Sequence, residues 1–231
     1  MRAGSIGMNV ADIDTPALCL DIEVVEANIK RMADYFRDSP VRLRPHAKTH
    51  KSPTLAHMQI AAGAIGITCA KLGEAEVMVA AGVQDVLIAN QIVGPPKIAR
   101  LVNLAAHSEV MVAVDDAANA ADLNAAAEAK GVRLRTLIEV DIGMRRCGVT
   151  PGEPVLDLAR KILASPGLRF EGLIGYVLHP IFKEDIEERR SKTEESVKLL
   201  TDSAELLRRE GIPVQIVSIG GTGTHFINGA Y

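Results

Sequence analysis

Short β-branched runs alternate with longer Ala-rich or amphipathic runs along nearly all of this 231-residue chain. This alternation constrains the fold more than any other feature. Strands that return in the same direction through helices form parallel βαβ units. Eight runs bounded by Gly, Pro, Asn or Asp are predicted as strands: Ala17–Leu20, Val41–Arg44, Ala64–Cys69, Asp85–Ala89, Glu109–Val114, Arg133–Val140, Arg169–Tyr176 and Val214–Ile219. Seven are predicted as helices: Ile22–Phe36, Ser52–Ala62, Leu72–Ala81, Pro95–Ala106, Ala117–Lys130, Pro154–Ala164 and Asp185–Glu210. Asp21 can cap the first helix, Pro95 and Pro96 suit the opening turn of the fourth, and Gly63, Gly82 and Gly131 suit helix ends. Eight such strands fit a (β/α)8 barrel of the TIM type. A doubly wound sheet is the alternative, but no GxGxxG follows the first strand. With no long linker or low-complexity segment, residues 1–231 read as one domain.

Composition removes several function classes. A formal net charge of -3 offers nothing to nucleic acid or an anionic membrane, and 3% aromatic residues cannot build a stacking platform for single strands. No apolar run is long enough to span a bilayer, and Met1–Met8 lacks the apolar core of a signal peptide; Met8 can itself be the start. Cys19, Cys69 and Cys147 are odd in number and form no CxxC pair, which points to reduced thiols in a cytoplasmic protein without a structural zinc site.

In a barrel, chemistry collects where strands end. After Val41–Arg44 comes Pro45-His46-Ala47-Lys48-Thr49-His50-Lys51. If the chain stays extended, Arg44, His46 and Lys48 share a face, and a lysine crowded by Arg44, His46 and Lys51 becomes a better amine nucleophile. A solvated basic loop fits the same residues. After Val214–Ile219 comes Gly220-Gly221-Thr222-Gly223-Thr224, whose backbone N–H groups and hydroxyls can cradle a phosphate, or which can be a plain flexible turn. Asp141–Gly148 carries Arg145 and Arg146 between glycines, able to aim a guanidinium at an anion or to lie on the surface. Tyr176 and His179 follow another strand and are candidates for phosphate contact and proton transfer, although a lone His there is often structural. Asn90 and Gln91 can line the same pocket, and Cys69 and Cys147 read as packing residues.

Together these pieces resemble the D-threonine aldolase and D-serine dehydratase family, within the alanine-racemase-like class of pyridoxal phosphate enzymes. The resemblance runs from Asp14-Thr15-Pro16-Ala17-Leu18 through the most specific stretch, Arg44–Lys51. It continues through Gly66–Glu76, Glu139–Gly143 and Arg146-Cys147-Gly148 to Gly221–Thr224. It implies an alanine racemase N-terminal type barrel in which Lys48 carries pyridoxal phosphate as a Schiff base. His46 and Tyr176 would lie beside the cofactor, Arg146 near its phenolic oxygen, and Gly221, Thr222, Gly223 and Thr224 at its phosphate. Lys48 and His179 would be the catalytic residues. At one position the sequence departs from the family's Gly-Tyr-x-Gly-His, since Leu178 stands where the second glycine belongs.

The resemblance further implies a lyase acting on small D-β-hydroxy-α-amino acids. Retro-aldol cleavage would give glycine and an aldehyde, and elimination would give an α-keto acid and ammonia. The family's C-terminal β-domain supplies a His and a Cys or Asp for a divalent metal (Mn, Mg or Zn). No such metal ligands are expected in this chain, which is expected to be inactive or weakly active alone. A homodimer is expected for the full-length protein. In the family the first strand joins the second domain, so this chain is expected to hold seven barrel strands, with Asn228–Tyr231 opening an eighth. Small single-barrel pyridoxal phosphate carriers match its length but lack the Pro-His-x-Lys-Thr-His pattern. For a racemase of this fold, nothing identifies the second base.

Overall fold

The computed structural model describes residues 7–231, so the start of the N-terminal stretch compared above with a signal peptide, residues 1–6, lies outside the described residues. Six strands form one all-parallel sheet in sequence order: β1 (Ile67–Cys69), β2 (Asp85–Gln91), β3 (Glu109–Val114), β4 (Leu134–Val140), β5 (Leu168–Gly175) and β6 (Ile216–Ser218). The helices are α1 (Ile22–Phe36), α2 (Pro53–Ala61), α3 (Leu72–Ala80), α4 (Pro95–Ala105), α5 (Ala117–Lys130), α6 (Glu153–Leu163), α7 (Ile186–Arg209) and α8 (His225–Asn228). None of them is long and apolar enough to cross a membrane, among the described residues.

Local chemistry explains the helix boundaries. Asp21 accepts the Val24 N–H at the start of α1, Ser52 accepts from Leu55 ahead of Pro53 in α2, and Asp116 accepts from Asn119 in α5. Gly131 ends α5 at φ 71°, where a side chain would be strained.

Two apolar clusters sort the sheet's faces. The larger one joins helix residues such as Leu101, Leu123, Ile162 and Leu200 to strand residues such as Val112 and Ile138. The smaller one holds strand residues alone: Leu87, Met111, Ala113, Leu137 and Ile174, with Ala89 and Ile216 against them. Helices therefore cover one face, and the other packs on its own side chains, as in a barrel and unlike a doubly wound sheet. The barrel is incomplete, because β1 and β6 do not pair.

Two residues up the inner face from this apolar layer is one chemistry, and two residues down is another. At the N-terminal ends of the strands lies an ion-paired floor. Arg44 meets Asp85 at 2.8 Å, Arg135 meets Glu171 at 3.0 Å and Glu109 at 3.3 Å, and Arg169 meets Glu171 at 2.7 Å. At the C-terminal ends Gln91 and Glu139 open the polar mouth.

Three expected strands differ. Ala17–Leu20 forms no strand, and Leu18 is fully exposed. Val41–Arg44 is replaced by an edge over residues 43–47, which runs beside β1 through Ile65 N–H to Leu43 O, Thr68 N–H to Pro45 O and Ala47 N–H to Thr68 O. Pro45 lacks an N–H and interrupts a regular ladder there. With this edge the sheet has seven chain segments. Asn228–Tyr231 opens no eighth strand: Gly229 N–H bonds His225 O, Ala230 N–H bonds Ile227 O, and the segment completes α8, a closing helix not anticipated after the glycine-rich turn.

Candidate active site

A cavity of about 1140 Å³ opens at the C-terminal ends of the strands. Lys48, Arg146, Tyr176, Glu139, Gly221 and Thr222 line it, together with His46, Gln91 and Cys147. They come from the ends of several different strands and the loops that follow them, as barrel sites require.

Lys48 lies in a tight turn over residues 47–50, closed by Lys51 N–H to Ala47 O at 2.7 Å. The extended pattern thus stops at His46, and Arg44, His46 and Lys48 do not share a face. Arg44 is instead bound to Asp85 in the floor, and Lys51 is paired with Glu74 at 3.2 Å. Two of the three charges expected to crowd Lys48 are therefore neutralised. The third group, His46, accepts the Lys48 backbone N–H on Nδ1 at 3.2 Å. Burial, and then the Lys48 charge, push its imidazole down to about 4, so it is neutral near pH 7.

Tyr176 follows β5 directly and forms the hub. Lys48 Nζ lies 5.6 Å from its ring centroid and Arg146 Cζ 5.7 Å, both within cation–π range. A methyl built on Gly221 would touch Tyr176 Cε2 at 3.8 Å, so the glycine turn after β6 abuts the same ring.

Glu139 was not foreseen as a site residue. It is buried on β4, accepts from Gln91 Nε2 at 2.6 Å and from Cys147 Sγ at 3.1 Å, and faces Arg146 at 3.9 Å. Burial and this hydrogen bond raise the Cys147 thiol and keep it protonated as a donor. Cys147 is therefore a cavity group rather than plain packing. Cys69 stays in the core, its thiol pushed up to about 12 by burial.

Only part of the Gly221–Thr224 run reaches the cavity. Gly221 and Thr222 line it. Gly223 backs onto Ile181, where an added methyl would stand 2.9 Å from Cγ2. Thr224 is buried, and its hydroxyl is committed to Gly221 O and Asn228 Nδ2.

His179 does not line the cavity. It opens a 3₁₀ turn, His179–Phe182, whose Pro180 is buried, which turns the imidazole outward. It borders a separate cleft of about 360 Å³ with Arg145, Lys192 and Glu195. A proton-transfer role for it beside Lys48 has no geometric support. Among the described residues no cluster of three His, Cys, Asp or Glu groups can hold a metal ion.

These groups suit pyridoxal phosphate. An aldehyde cofactor needs a primary amine, an aromatic surface, a guanidinium for an anionic oxygen and an open turn for phosphate. Lys48, Tyr176, Arg146 and Gly221–Thr222 present these in one cavity.

Known proteins resemble the chain closely. It is 40% identical over 218 residues to a D-threonine aldolase of Arthrobacter sp, covering 94% of this chain and 58% of that one. It is 37% identical over 222 residues to a 3-hydroxy-D-aspartate aldolase of Paracoccus denitrificans (strain Pd 1222), covering 95% and 57%. The crystal structure of a D-threonine aldolase from Filomicrobium marinum superposes with a TM-score of 0.97 at 41% identity, covering all of this chain and 63% of that one. The chain thus spans less than two thirds of the length of these relatives. Residues 20–230 match the family described as alanine racemase, N-terminal domain, and the chain belongs to that family.

Proposed function

We propose that this chain is the cofactor-binding part of a pyridoxal phosphate-dependent lyase that cleaves D-β-hydroxy-α-amino acids to glycine and an aldehyde. The observation that carries this reading is the placement of Lys48 Nζ and Arg146 Cζ at 5.6 and 5.7 Å from the Tyr176 ring centroid, in a cavity bounded by Gly221 and Thr222. The relatives' names, two D-threonine aldolases and a 3-hydroxy-D-aspartate aldolase, support the substrate class.

Bound pyridoxal phosphate supplies an electron sink for the bond pair released at the substrate's α-carbon. Lys48 would hold the cofactor through its ε-amino group and release it to the substrate amine. Arg146, anchored by Glu139, would face the phenolic oxygen, and its fixed positive charge would stabilise negative charge there. His46 fixes the Lys48 backbone and, being neutral, adds no further positive charge beside the amine. Tyr176 would bound the ring's side of the cavity, and Gly221 and Thr222 would receive the phosphate, with Gly223 and Thr224 shaping the turn behind them.

Borohydride reduction in the presence of pyridoxal phosphate, followed by peptide mapping, tests the assignment. The expected product is a pyridoxyl label on Lys48; a label on another lysine, or none, overturns it. Glycine release from D-threonine and from 3-hydroxy-D-aspartate by the cofactor-loaded protein tests the reaction. Release of α-keto acid and ammonia instead would replace aldol cleavage with elimination.

A further inference from the structure

We propose that His225 is a positioning residue for the phosphate end of the cofactor site, acting through the carbonyl of Thr222. This rests on the reading that Gly221 and Thr222 receive the phosphate. An anion site made of backbone needs its N–H groups forward and its carbonyls turned away, because a carbonyl oxygen repels an anion. In this turn both leading carbonyls are tied down. Gly221 O accepts the Thr224 N–H at 3.0 Å, a bond within the turn itself. Thr222 O is held by a side chain three residues on, His225 Nδ1, at 2.8 Å. A carbonyl only accepts, so Nδ1 carries a proton and the tautomer is set by this contact. A peptide is planar, so holding Thr222 O also fixes the plane of the Thr222–Gly223 peptide, which bounds the cavity at Thr222.

The imidazole is itself held. The Tyr35 ring meets it edge-on with centroids 5.0 Å apart and planes at 78°, and Phe226 does so at 5.6 Å and 87°. Phe36 lies 6.4 Å away. These are favourable edge-to-face arrangements, and two of the rings come from the end of α1. Gly229 closes against the same pair, since a methyl there would stand 3.3 Å from Phe36 and 3.4 Å from Tyr35. Helix α1, remote in sequence from the turn, thereby aligns the Thr222–Gly223 peptide through one imidazole.

Titration with pyridoxal phosphate and with pyridoxal, its phosphate-free form, tests this. Three proteins are compared: the unaltered chain, His225→Phe, which keeps a ring but loses the donor, and His225→Asn, which keeps a donor near the Nδ1 position. The expected result is that His225→Phe loses about tenfold in affinity for pyridoxal phosphate, the upper end for one lost hydrogen bond, with affinity for pyridoxal unchanged. His225→Asn should retain most of the preference for the phosphate form. If the unaltered chain binds both compounds equally, the phosphate reading of the turn fails and this inference fails with it. If the unaltered chain prefers the phosphate form and His225→Phe prefers it equally, the inference alone fails. Equal losses for both compounds in His225→Phe would reduce His225 to a packing role and overturn it as well.

Discussion

Gln91 Nε2 donates to Glu139 Oε2 at 2.6 Å, tying the end of β2 to β4 across the intervening strand. The other oxygen of the same carboxylate accepts from Cys147 and faces Arg146. One buried anion therefore organises three groups at the cavity wall.

Glu139→Gln keeps the size of that group and removes its charge. The substitution leaves two amides facing each other and Arg146 without its counter-ion. A loss of about 1–3 kcal/mol is expected, as for a disrupted buried hydrogen bond to a charged group. The urea midpoint should fall accordingly, and an unchanged midpoint would show that Gln91 and Arg146 do not depend on the carboxylate.

His46 sets a pH dependence whose sign follows from its environment. Its folded value of about 4 lies below the ordinary 6.5, so the unfolded chain binds a proton more readily between those values. The contribution of neutral His46 is fully present above pH 6.5 and is lost as pH falls toward 4. Denaturation at pH 7.5, 5.5 and 4.5 should show less acid sensitivity in His46→Gln than in the unaltered chain. Equal slopes would mean that His46 is not held neutral.

Gly172 has φ +147°, and a methyl on it would stand 2.0 Å from Ile216 O in the adjacent strand. Gly172→Ala must part β5 from β6. Overpacking typically costs about 1–3 kcal/mol, and thermal unfolding should show it. Amide exchange at Ile216–Ser218 should rise before that of β3.

In the floor, Arg135→Met leaves Glu171, whose side chain is 5% exposed, with Arg169 alone. A cost of roughly 3 kcal/mol is expected, the low end for a broken buried pair because Arg169 remains. Adding Glu171→Gln should recover part of it in a double-mutant cycle. No recovery would show that Arg135 contributes through packing.

Where a run carried both its period and its end signals, the sequence was legible to within a residue. Strand β3 and helices α1 and α5 have the expected bounds, with Asp21 and Gly131 the end signals read for the helices and Asp116 a cap that the structure adds. The Lys48 turn was less legible. Period-two reasoning assumed extended chain through residue 48, and the backbone turns at Ala47. Lys48, Arg146, Tyr176 and Gly221 line one cavity. The Gln91–Glu139 pair and the Thr222–His225–Tyr35 chain were not legible, because each is made by residues that only the closed sheet brings together. Helix α8, a single turn long, is too short for a periodic signal.

The contact between Tyr35 and His225 also has a consequence for timing. Most of the described chain lies between these two rings, so their meeting closes a very long loop, whereas each parallel strand pair closes a loop of one helix. The local βαβ units can assemble first, and the α1–α8 junction is expected among the last contacts to form and the first to open. Readiness of the turn at Thr222 would then report that the whole sheet has already assembled, and not merely its last strand.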